Sequence, residues 1–255
     1  MDKLAYTALN AVNERRVARQ MLTNELANVS TTGFKRSYEV AMQAVKTEGK
    51  GYDTRISPQM LAEDRIQLSP GPLIVTGNTI DIAMKDQAVL GVQAPDGTAA
   101  FTRRGDLRIN TQGVLENGQG HAILSDAGAP ISVPPGFALN VTNTGQLVAR
   151  DPNAPAPQVE VPVAQLMLRD ASETKLVRRE DGLFEAFIDG ARQPGDFPTG
   201  PIPTEVVSGA LEGSNVNPIS AMVKLIDAER SFESSIKFIK EAKGIDESGA
   251  QLLRA

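Results

Sequence analysis

The chain has 255 residues, of which 41% are hydrophobic and only 4% aromatic, with no Trp and no Cys. This length allows one large or two modest domains, each with its own core. The absence of cysteine excludes a disulfide scaffold, a thiolate zinc site and a cysteine nucleophile. The net charge of −5 disfavours general affinity for nucleic acid, and the shortage of aromatic residues disfavours a small-molecule substrate pocket.

The N-terminal region predicts a long amphipathic helix. Residues 2–29 contain neither Gly nor Pro, and Asp2 is a favourable N-cap. Apolar residues recur at intervals of three and four, which places them on one helix face. These positions are Leu4, Ala5, Ala8, Ala11, Val12, Ala18, Leu22, Leu26 and Val29. The helix is expected to end in the polar run that leads to Gly33.

No apolar run is long enough to span a bilayer, so no membrane insertion is predicted. The first residues lack the apolar stretch and small-residue cleavage site of a secretory signal, so we expect any export to use another route. Residues 1–36 carry six basic and three acidic side chains. This excess fits a solvated helix face, or a face that meets an acidic partner, better than a nucleic-acid or membrane site.

The middle of the chain predicts β-structure, because residues 30–210 hold most of the Gly and Pro and many β-branched residues. The predicted strands are Leu73–Thr76, Ile80–Met84, Phe101–Ile109, Val159–Leu168, Lys175–Arg178 and Leu183–Ile188, and Gly105 is expected to form a bend or bulge in the third of them. A weak internal repeat predicts two hairpins, with turns at Gly113 and Gly145. Residues 36–70 show no period and predict an extended linker.

The C-terminal region predicts a second amphipathic helix. Asn217 is a natural N-cap, Pro218 suits the first helical position and Gly244 suits the end of the helix. The apolar positions follow a heptad-like stripe that Glu229 interrupts. They are Met222, Leu225, Phe232, Ile236 and Ile239.

Neither stripe is expected to remain in water, since burying one medium apolar side chain contributes about 1.5–3 kcal/mol. The fold class predicted is therefore α+β, mainly β, with a β-rich centre flanked by two helices that pair as a coiled-coil-like discontinuous domain. The predicted domains are 1–35 plus 211–255 for the helices, 36–70 for the linker and 71–210 for the β-rich outer domain. A plain helical hairpin without further partners is the alternative. Arg15 and Glu229 are hypothesised to pair across the two stripes.

No catalytic, metal or cofactor site is predicted. His121 is the only histidine, and neither a GxSxG nor a Walker A motif occurs. Asp227 and Glu229 are two positions apart on a helix, so they do not face each other as a hydrolase pair would. The sequence thus favours a protein that is not an enzyme and has no small-molecule substrate.

Two segments beside the helices hold more Gly, Ser, Thr and Asn than capping requires. The first contains Leu26, Ala27, Asn28, Thr32, Gly33 and Phe34, and the second contains Leu211, Glu212, Ser214, Asn215, Val216 and Asn217. These motifs resemble the N-terminal and C-terminal signatures of the flagellar rod and hook proteins. Thr76–Ala83, Phe101–Gly105 and Gly113–Leu115 resemble the β domain of that family. One departure is Ala88–Leu90, where the family usually has an aromatic pair.

The resemblance implies a structural subunit of the bacterial flagellum. Such subunits are exported through the flagellar type III apparatus without a cleaved signal, and they assemble helically with other rod subunits. Their terminal helices form an inner tube, and the rod crosses the periplasm and transmits torque to the hook. The predicted assembly interface is Leu4, Ala8, Ala11, Leu22, Leu26, Val29, Met222, Leu225, Phe232, Ile236 and Ile239.

Within that family, Met1–Asp2, Tyr6–Ala8 and Ser208–Pro218 are more similar to proximal-rod than to distal-rod members. A distal-rod subunit remains an alternative. A second alternative is a periplasmic binding or adhesion module with a helical stalk, which requires a ligand patch and a standard export signal. A third alternative is a rod-associated cell-wall hydrolase, which requires a cleft with two facing carboxylates.

Overall fold

The computed structural model describes residues 2–38, 42–47, 55–60, 65–133, 136–152 and 160–252. The chain forms two compact units. The helical unit comprises Met1–Val29, Glu39–Glu63 and Asn217–Ala255, and the β unit comprises Ser30–Tyr38 and Asp64–Val216. None of the helices in the described ranges is sufficiently long and apolar to cross a membrane.

The described residues form two helices and seventeen strands. The helices are α1 Asp2–Ala27 and α2 Pro218–Leu252. The strands are β1 Met42–Thr47, β2 Arg55–Met60, β3 Leu73–Val75, β4 Ile82–Met84, β5 Ala88–Gln93, β6 Ala99–Thr102, β7 Leu107–Ile109, β8 Leu115–Asn117, β9 Ala138–Val141, β10 Gln146–Arg150, β11 Glu160–Gln165, β12 Leu168–Asp170, β13 Lys175–Arg178, β14 Phe184–Ile188, β15 Ala191–Gln193, β16 Val206–Ser208 and β17 Ala210–Glu212. The predicted β-rich chain with a helix towards each end is confirmed.

Both helices begin where their capping residues predict. The side-chain oxygen of Asn217 accepts a hydrogen bond from the backbone N–H of Ser220 at 3.0 Å, so Asn217 is the N-cap of α2. The predicted end at Gly244 is wrong, because α2 continues to Leu252. A single helical Gly is only about 1 kcal/mol less favourable than Ala, and no Pro follows to stop the helix.

Side chains of α1 contact α2 within the helical unit. Arg19 Nη1 lies 3.3 Å from Glu229 Oε1. The hypothesis that Arg15 pairs with Glu229 is therefore wrong by one helical turn. Arg15 instead donates to the carbonyl oxygen of Ser231 and the hydroxyl of Ser235. The register of the two helices could not be read from the sequence, because an arginine one turn away lies on the same face.

The region predicted as an extended linker contains a hairpin. Strands β1 and β2 pair antiparallel, with Met42 opposite Met60 and Thr47 opposite Arg55. The helical unit includes this hairpin, and β2 contacts α1. These strands were not predicted from the sequence, because their apolar residues follow no regular alternation.

The largest sheet of the β unit has the strand order β12-β5-β6-β14-β13, with β15 beside β14. Strand β5 is buried on both faces, since Leu90 and Val92 belong to one core cluster and Val89 to another. Gly91 leaves space for Met167, whose sulfur would lie 2.4 Å from an added Cβ. Ala88–Leu90 stand where the family usually has an aromatic pair. All three residues are buried and form part of the core.

The two repeated hairpins are confirmed. Strands β7 and β8 pair antiparallel, and Gly113 between them has φ 80°. Strands β9 and β10 pair antiparallel, and Gly145 between them has φ 78°. Each turn uses the left-handed backbone region that glycine enters without strain.

The predicted strand Phe101–Ile109 is divided into β6 and β7. Gly105 lies between them, and a Cβ at this position would approach the carbonyl oxygen of Ile82 to 1.8 Å. The chain leaves the sheet here and directs Arg103 into the interior. Strands β16 and β17 pair with β4 and β3. They were not predicted, because a three-residue strand is too short to show a period.

Candidate functional site

Three segments that are distant in sequence meet at one buried charge cluster in the β unit. Lys35 follows the N-terminal motif, Arg103 lies between β6 and β7, and Glu212 ends β17. Lys35 Nζ lies 2.6 Å from Glu212 Oε1, and Arg103 Nε lies 2.7 Å from Glu212 Oε2. The side chains of Lys35 and Arg103 are 0% exposed and that of Glu212 is 2% exposed. We name these three residues the junction cluster.

Backbone oxygens complete the coordination of Arg103. Its Nη1 donates to the carbonyl oxygens of Ala88 at 2.7 Å and Asp86 at 3.0 Å, and its Nη2 donates to that of Met84 at 2.9 Å. Asp86 has φ 46°, a left-handed conformation that Asp tolerates better than most residues. The loop between β4 and β5 is thus shaped around the guanidinium group.

The other two members of the cluster also have further partners. Lys35 Nζ donates to the carbonyl oxygen of Ser69 at 2.8 Å. Glu212 Oε1 accepts a second hydrogen bond, from the backbone N–H of Gly71 at 2.9 Å. A buried charge is tolerated only when it is paired and hydrogen-bonded in this way.

The junction cluster carries one more positive charge than negative charge. Burial, with Arg103 adding to it, lowers the pKa of Lys35 from 10.5 to about 8, although Glu212 opposes this shift. Burial alone would raise the pKa of Glu212, but the hydrogen bonds and charges of Arg103 and Lys35 outweigh it and lower the pKa. Glu212 is therefore ionised at neutral pH, and Lys35 loses its proton more easily than a free lysine.

The N-terminal and C-terminal motifs are also joined through their backbones. The N–H of Gly33 donates to the carbonyl oxygen of Glu212 at 2.7 Å. The side-chain oxygen of Asn215 accepts from the N–H of Arg36 at 2.7 Å, and its amide donates to the carbonyl oxygen of Gln67 at 2.8 Å. The N–H of Asn215 donates to the carbonyl oxygen of Phe34 at 3.3 Å.

Gly33 is required by close packing as well as by its backbone angle. Its φ is +69°, and a Cβ would lie 2.5 Å from the backbone carbon and oxygen of Arg103. No side chain fits between these two backbones, so the Thr-Gly-Phe motif lets the N-terminal segment reach Arg103. The Phe34 ring then lies 4.3 Å below the guanidinium of Arg178, in a cation–π contact.

Comparisons with known proteins agree with these motifs. The family model described as flagellar hook protein FlgE/F/G D1 domain matches residues 83–175, and that described as flagellar basal body rod FlgEFG protein C-terminal matches residues 207–252. The chain is 32% identical to the flagellar basal-body rod protein FlgF of Salmonella typhimurium over 99% of both chains. The chain belongs to the flagellar rod and hook protein family.

Other relatives in this family cover most of the chain. The Escherichia coli rod protein FlgF is 33% identical, over 94% of this chain and 93% of the relative. The Agrobacterium fabrum rod protein FlgG is 28% identical, over 88% of both chains. The resemblance seen in the sequence is confirmed at family level.

The family motifs lie in two places. Leu26, Ala27 and Asn28 lie at the end of α1. Gly33, Phe34, Glu212 and Asn215 join the segment that follows α1 to the segment that precedes α2, within the β unit. The hydroxyl of Ser214 accepts a hydrogen bond from the N–H of Val216 at 3.2 Å, and Val216 is buried. Thr32 is half-buried beside Gly33, and Leu211 is half-buried in β17.

Sequence reasoning gave no role to Lys35 and Arg103. Arg103 lies inside a segment that was singled out and Lys35 directly follows another, but a charged residue is usually exposed. The adjacent pair Arg103 and Arg104 shows the difficulty, since only Arg103 is fully buried. The one available signal is that each residue lies two positions from a motif glycine, Gly33 or Gly105.

Part of the predicted assembly interface can be placed. Leu22, Leu26, Val29, Leu225, Phe232, Ile236 and Ile239 are half-buried. Met222 is exposed, and the side chains of Leu4, Ala8 and Ala11 lie outside the described part of the structure. A second row on α2 is also exposed and consists of Ile219, Met222, Val223 and Ile226. Its spacing of three and four places it on one helix face.

The junction cluster joins distant segments of the chain. Each of its charges is hydrogen-bonded to other protein groups. Across the described ranges, no three His, Cys, Asp or Glu side chains are grouped as metal ligands would be. The cluster bonds the segment that follows α1 to the segment that precedes α2 within the β unit.

Proposed function

We propose that this chain is a structural subunit of the proximal part of the bacterial flagellar rod, and not an enzyme. The FlgF relatives support the proximal position, since they are 32% and 33% identical, against 28% for the FlgG relative. Its partners are other axial subunits and further copies of itself. Its location is the periplasmic part of the flagellar basal body, which it reaches through the flagellar export apparatus.

One observation carries the proposal beyond family membership. Ile219, Met222, Val223 and Ile226 are each at least 51% exposed on one face of α2. A contiguous apolar row of this kind marks a protein–protein contact. Burying each side chain contributes about 1.5–3 kcal/mol. The row is therefore expected to be covered by a neighbouring subunit in the rod.

The terminal helices form the assembly domain in this proposal, and they pair in a coiled-coil-like manner. The half-buried stripe around Leu22 and Ile236 closes the pair within one subunit. The exposed row of α2 then contacts the next subunit. A head-to-tail contact that does not close into a ring produces a helical filament.

In a rod that transmits torque, the junction cluster would distribute the load between the two segments that lead to the terminal helices. Force that enters through either terminal helix reaches the β unit through residues 30–38 or 209–216. Because Lys35 and Glu212 bond these two segments to each other, the load is shared by both ends of the chain. The β unit then acts as the outer domain.

A deletion strain tests the proposal. We expect a strain without this gene to lose swimming, and electron microscopy of its basal bodies to show rods that stop short. Complementation with an Ile226→Asp variant, which places a charge in the exposed row of α2, should fail to restore rods, whereas Ser234→Asp, at an exposed polar position of the same helix, should restore them. Complete basal bodies and normal swimming in the deletion strain would overturn the rod assignment.

A further inference from the structure

Strand β3 exposes all three of its apolar side chains. Leu73 is 60% exposed, Ile74 is 51% exposed and Val75 is 84% exposed. Exposed apolar area of a few hundred Å² in one patch often marks a functional surface. The patch belongs to the β unit, whereas the apolar row on α2 belongs to the helical unit.

One edge of β3 has no partner strand among the described residues. Within the described ranges β3 pairs only with β17, with Val75 opposite Ala210 and Leu73 opposite Glu212. The N–H of Thr76 donates to Gly209 O at 2.9 Å. Hydrogen-bonded and non-bonded pairs alternate along an antiparallel ladder. Leu73 and Val75 therefore direct their N–H and C=O groups away from β17, towards the open edge.

Two other edge strands of the β unit, β11 and β15, carry protective residues that β3 lacks. β11 contains Pro162 and begins at the exposed Glu160, and β15 presents the exposed Arg192 at its centre. Proline and charged side chains on an edge prevent pairing with another strand. The sequence from Leu73 to Val75 contains neither, so its edge is open to a further strand.

A groove lies beside β3 and can receive side chains from such a strand. Its volume is about 660 Å³, and its lining includes Leu68, Leu73, Met84, Ile202 and Val207. Lys85 at the rim is paired with Glu205 at 2.7 Å. The groove therefore offers apolar surface beside the exposed carboxylate of Asp86, and it suits an extended segment with apolar residues at alternate positions.

We infer that the open edge of β3 binds an extended segment of a neighbouring axial subunit in the rod, by strand addition. The inference rests on the proposed function, which supplies the neighbour. The exposed apolar patch is far below the roughly 1,000 Å² that a stable free complex buries. The partner must therefore be held by a second contact, as a subunit already anchored through its terminal helices would be. A freely diffusing partner does not meet this requirement.

The absence of cysteine in the chain allows a direct test. A Val75→Cys variant provides a single thiol, and its reaction with a maleimide is compared in the purified full-length chain and in isolated basal bodies. We expect about tenfold slower labelling in basal bodies, since a covered thiol is not accessible. Labelling after denaturation gives the total amount of thiol.

A photo-crosslinking residue at position 75 identifies the occupant. Capture of a peptide from an axial subunit of the rod supports the inference. Capture of a protein that is not an axial subunit overturns it, and so does equal labelling of Val75→Cys in both samples. If the wild-type chain is absent from basal bodies, the proposed function fails together with this inference. Presence in basal bodies with an unprotected thiol refutes strand addition alone.

A proline variant separates strand addition from side-chain burial. Val75→Pro removes only the outward N–H, because the N–H of residue 75 does not bond β17, and an edge strand tolerates proline. Val75→Thr keeps that N–H and the branched shape. We expect Val75→Pro to reduce incorporation into basal bodies by about tenfold and Val75→Thr to leave it within about twofold. Equal incorporation of the two variants, with unchanged thermal unfolding of the free chains, would contradict backbone pairing.

Discussion

Replacing Glu212 by Gln removes the only negative charge of the junction cluster while keeping its size. Lys35 and Arg103 then remain buried 2.6 and 2.7 Å from a neutral amide. Removing one partner of a buried ion pair destabilises a protein by about 3–5 kcal/mol, because an uncompensated charge stays in the interior. Total stabilities are typically about 5–15 kcal/mol, so the variant should lie close to its unfolding threshold.

Glu205→Gln provides a matched control for this substitution. Glu205 pairs with Lys85 at 2.7 Å, close to the distances in the cluster, but their side chains are 51% and 48% exposed. An exposed pair of this kind contributes little to stability, because water screens the attraction between its charges. Urea unfolding of the two variants, followed by circular dichroism, compares the same chemical change at a buried and an exposed site.

The pH dependence gives a second test of the same cluster. The pKa of Lys35 is about 8 in the folded protein against 10.5 for a free lysine. Between these two values the unfolded chain holds a proton that the folded chain has released, so the free energy of unfolding rises with pH. The stability of the wild type relative to Lys35→Met should therefore increase by about 3 kcal/mol between pH 8 and 10.5.

Glu212 acts in the opposite pH range. Its pKa lies below the ordinary 4.5, so its stabilising effect is complete at neutral pH and is lost as the pH falls through the folded-state value. The wild type and Glu212→Gln should thus converge in acid. If Glu212→Gln is no more destabilising than Glu205→Gln, the buried charges do not stabilise the fold as described. A stability difference between the wild type and Lys35→Met that stays constant from pH 8 to 10.5 would contradict the lowered pKa of Lys35.

Three further substitutions test the junction and the helix start. Gly33→Ala should destabilise the chain by more than about 3 kcal/mol in urea unfolding, since its Cβ would meet the backbone of Arg103. Gly77→Ala is the control, because Gly77 also has a positive φ but has open space around it. Its cost should be limited to about 1–2 kcal/mol. Asn215→Ala should lose about 1–3 kcal/mol and expose residues 30–38 to limited proteolysis, and an unchanged cleavage pattern would contradict its joining role. Asn217→Ala should lower the thermal stability of α2 by about 1 kcal/mol, and no change would exclude the capping bond.

The two helices could be predicted from the sequence, because their signals are local. Asn217 followed by Pro218 fixes the start of α2, and long apolar stripes without Gly or Pro give a clear 3.6-residue period. The hairpin turns at Gly113 and Gly145 were equally visible, since a tight turn requires a residue that accepts positive φ. Family membership followed from the same short segments.

Local signals could not give the register or the short strands. Arg15 and Arg19 lie one turn apart on one face, so only packing of α1 against α2 decides which of them meets Glu229. Strand β17 has three residues and exists because β3 provides hydrogen-bonding partners from a distant part of the chain. Pairing of this kind is non-local, and propensity over three residues carries little information.

The sequence by itself determined the two amphipathic helices, the β-rich centre and the motifs at both chain ends. Only the tertiary structure decided that Lys35, Arg103 and Glu212 form one buried cluster, and that none of the described strands except β17 pairs with β3. The physical reason is that burial is a property of the assembled fold. A lysine is exposed by default, and it becomes internal only when other segments supply a carboxylate and carbonyl oxygens for its charge.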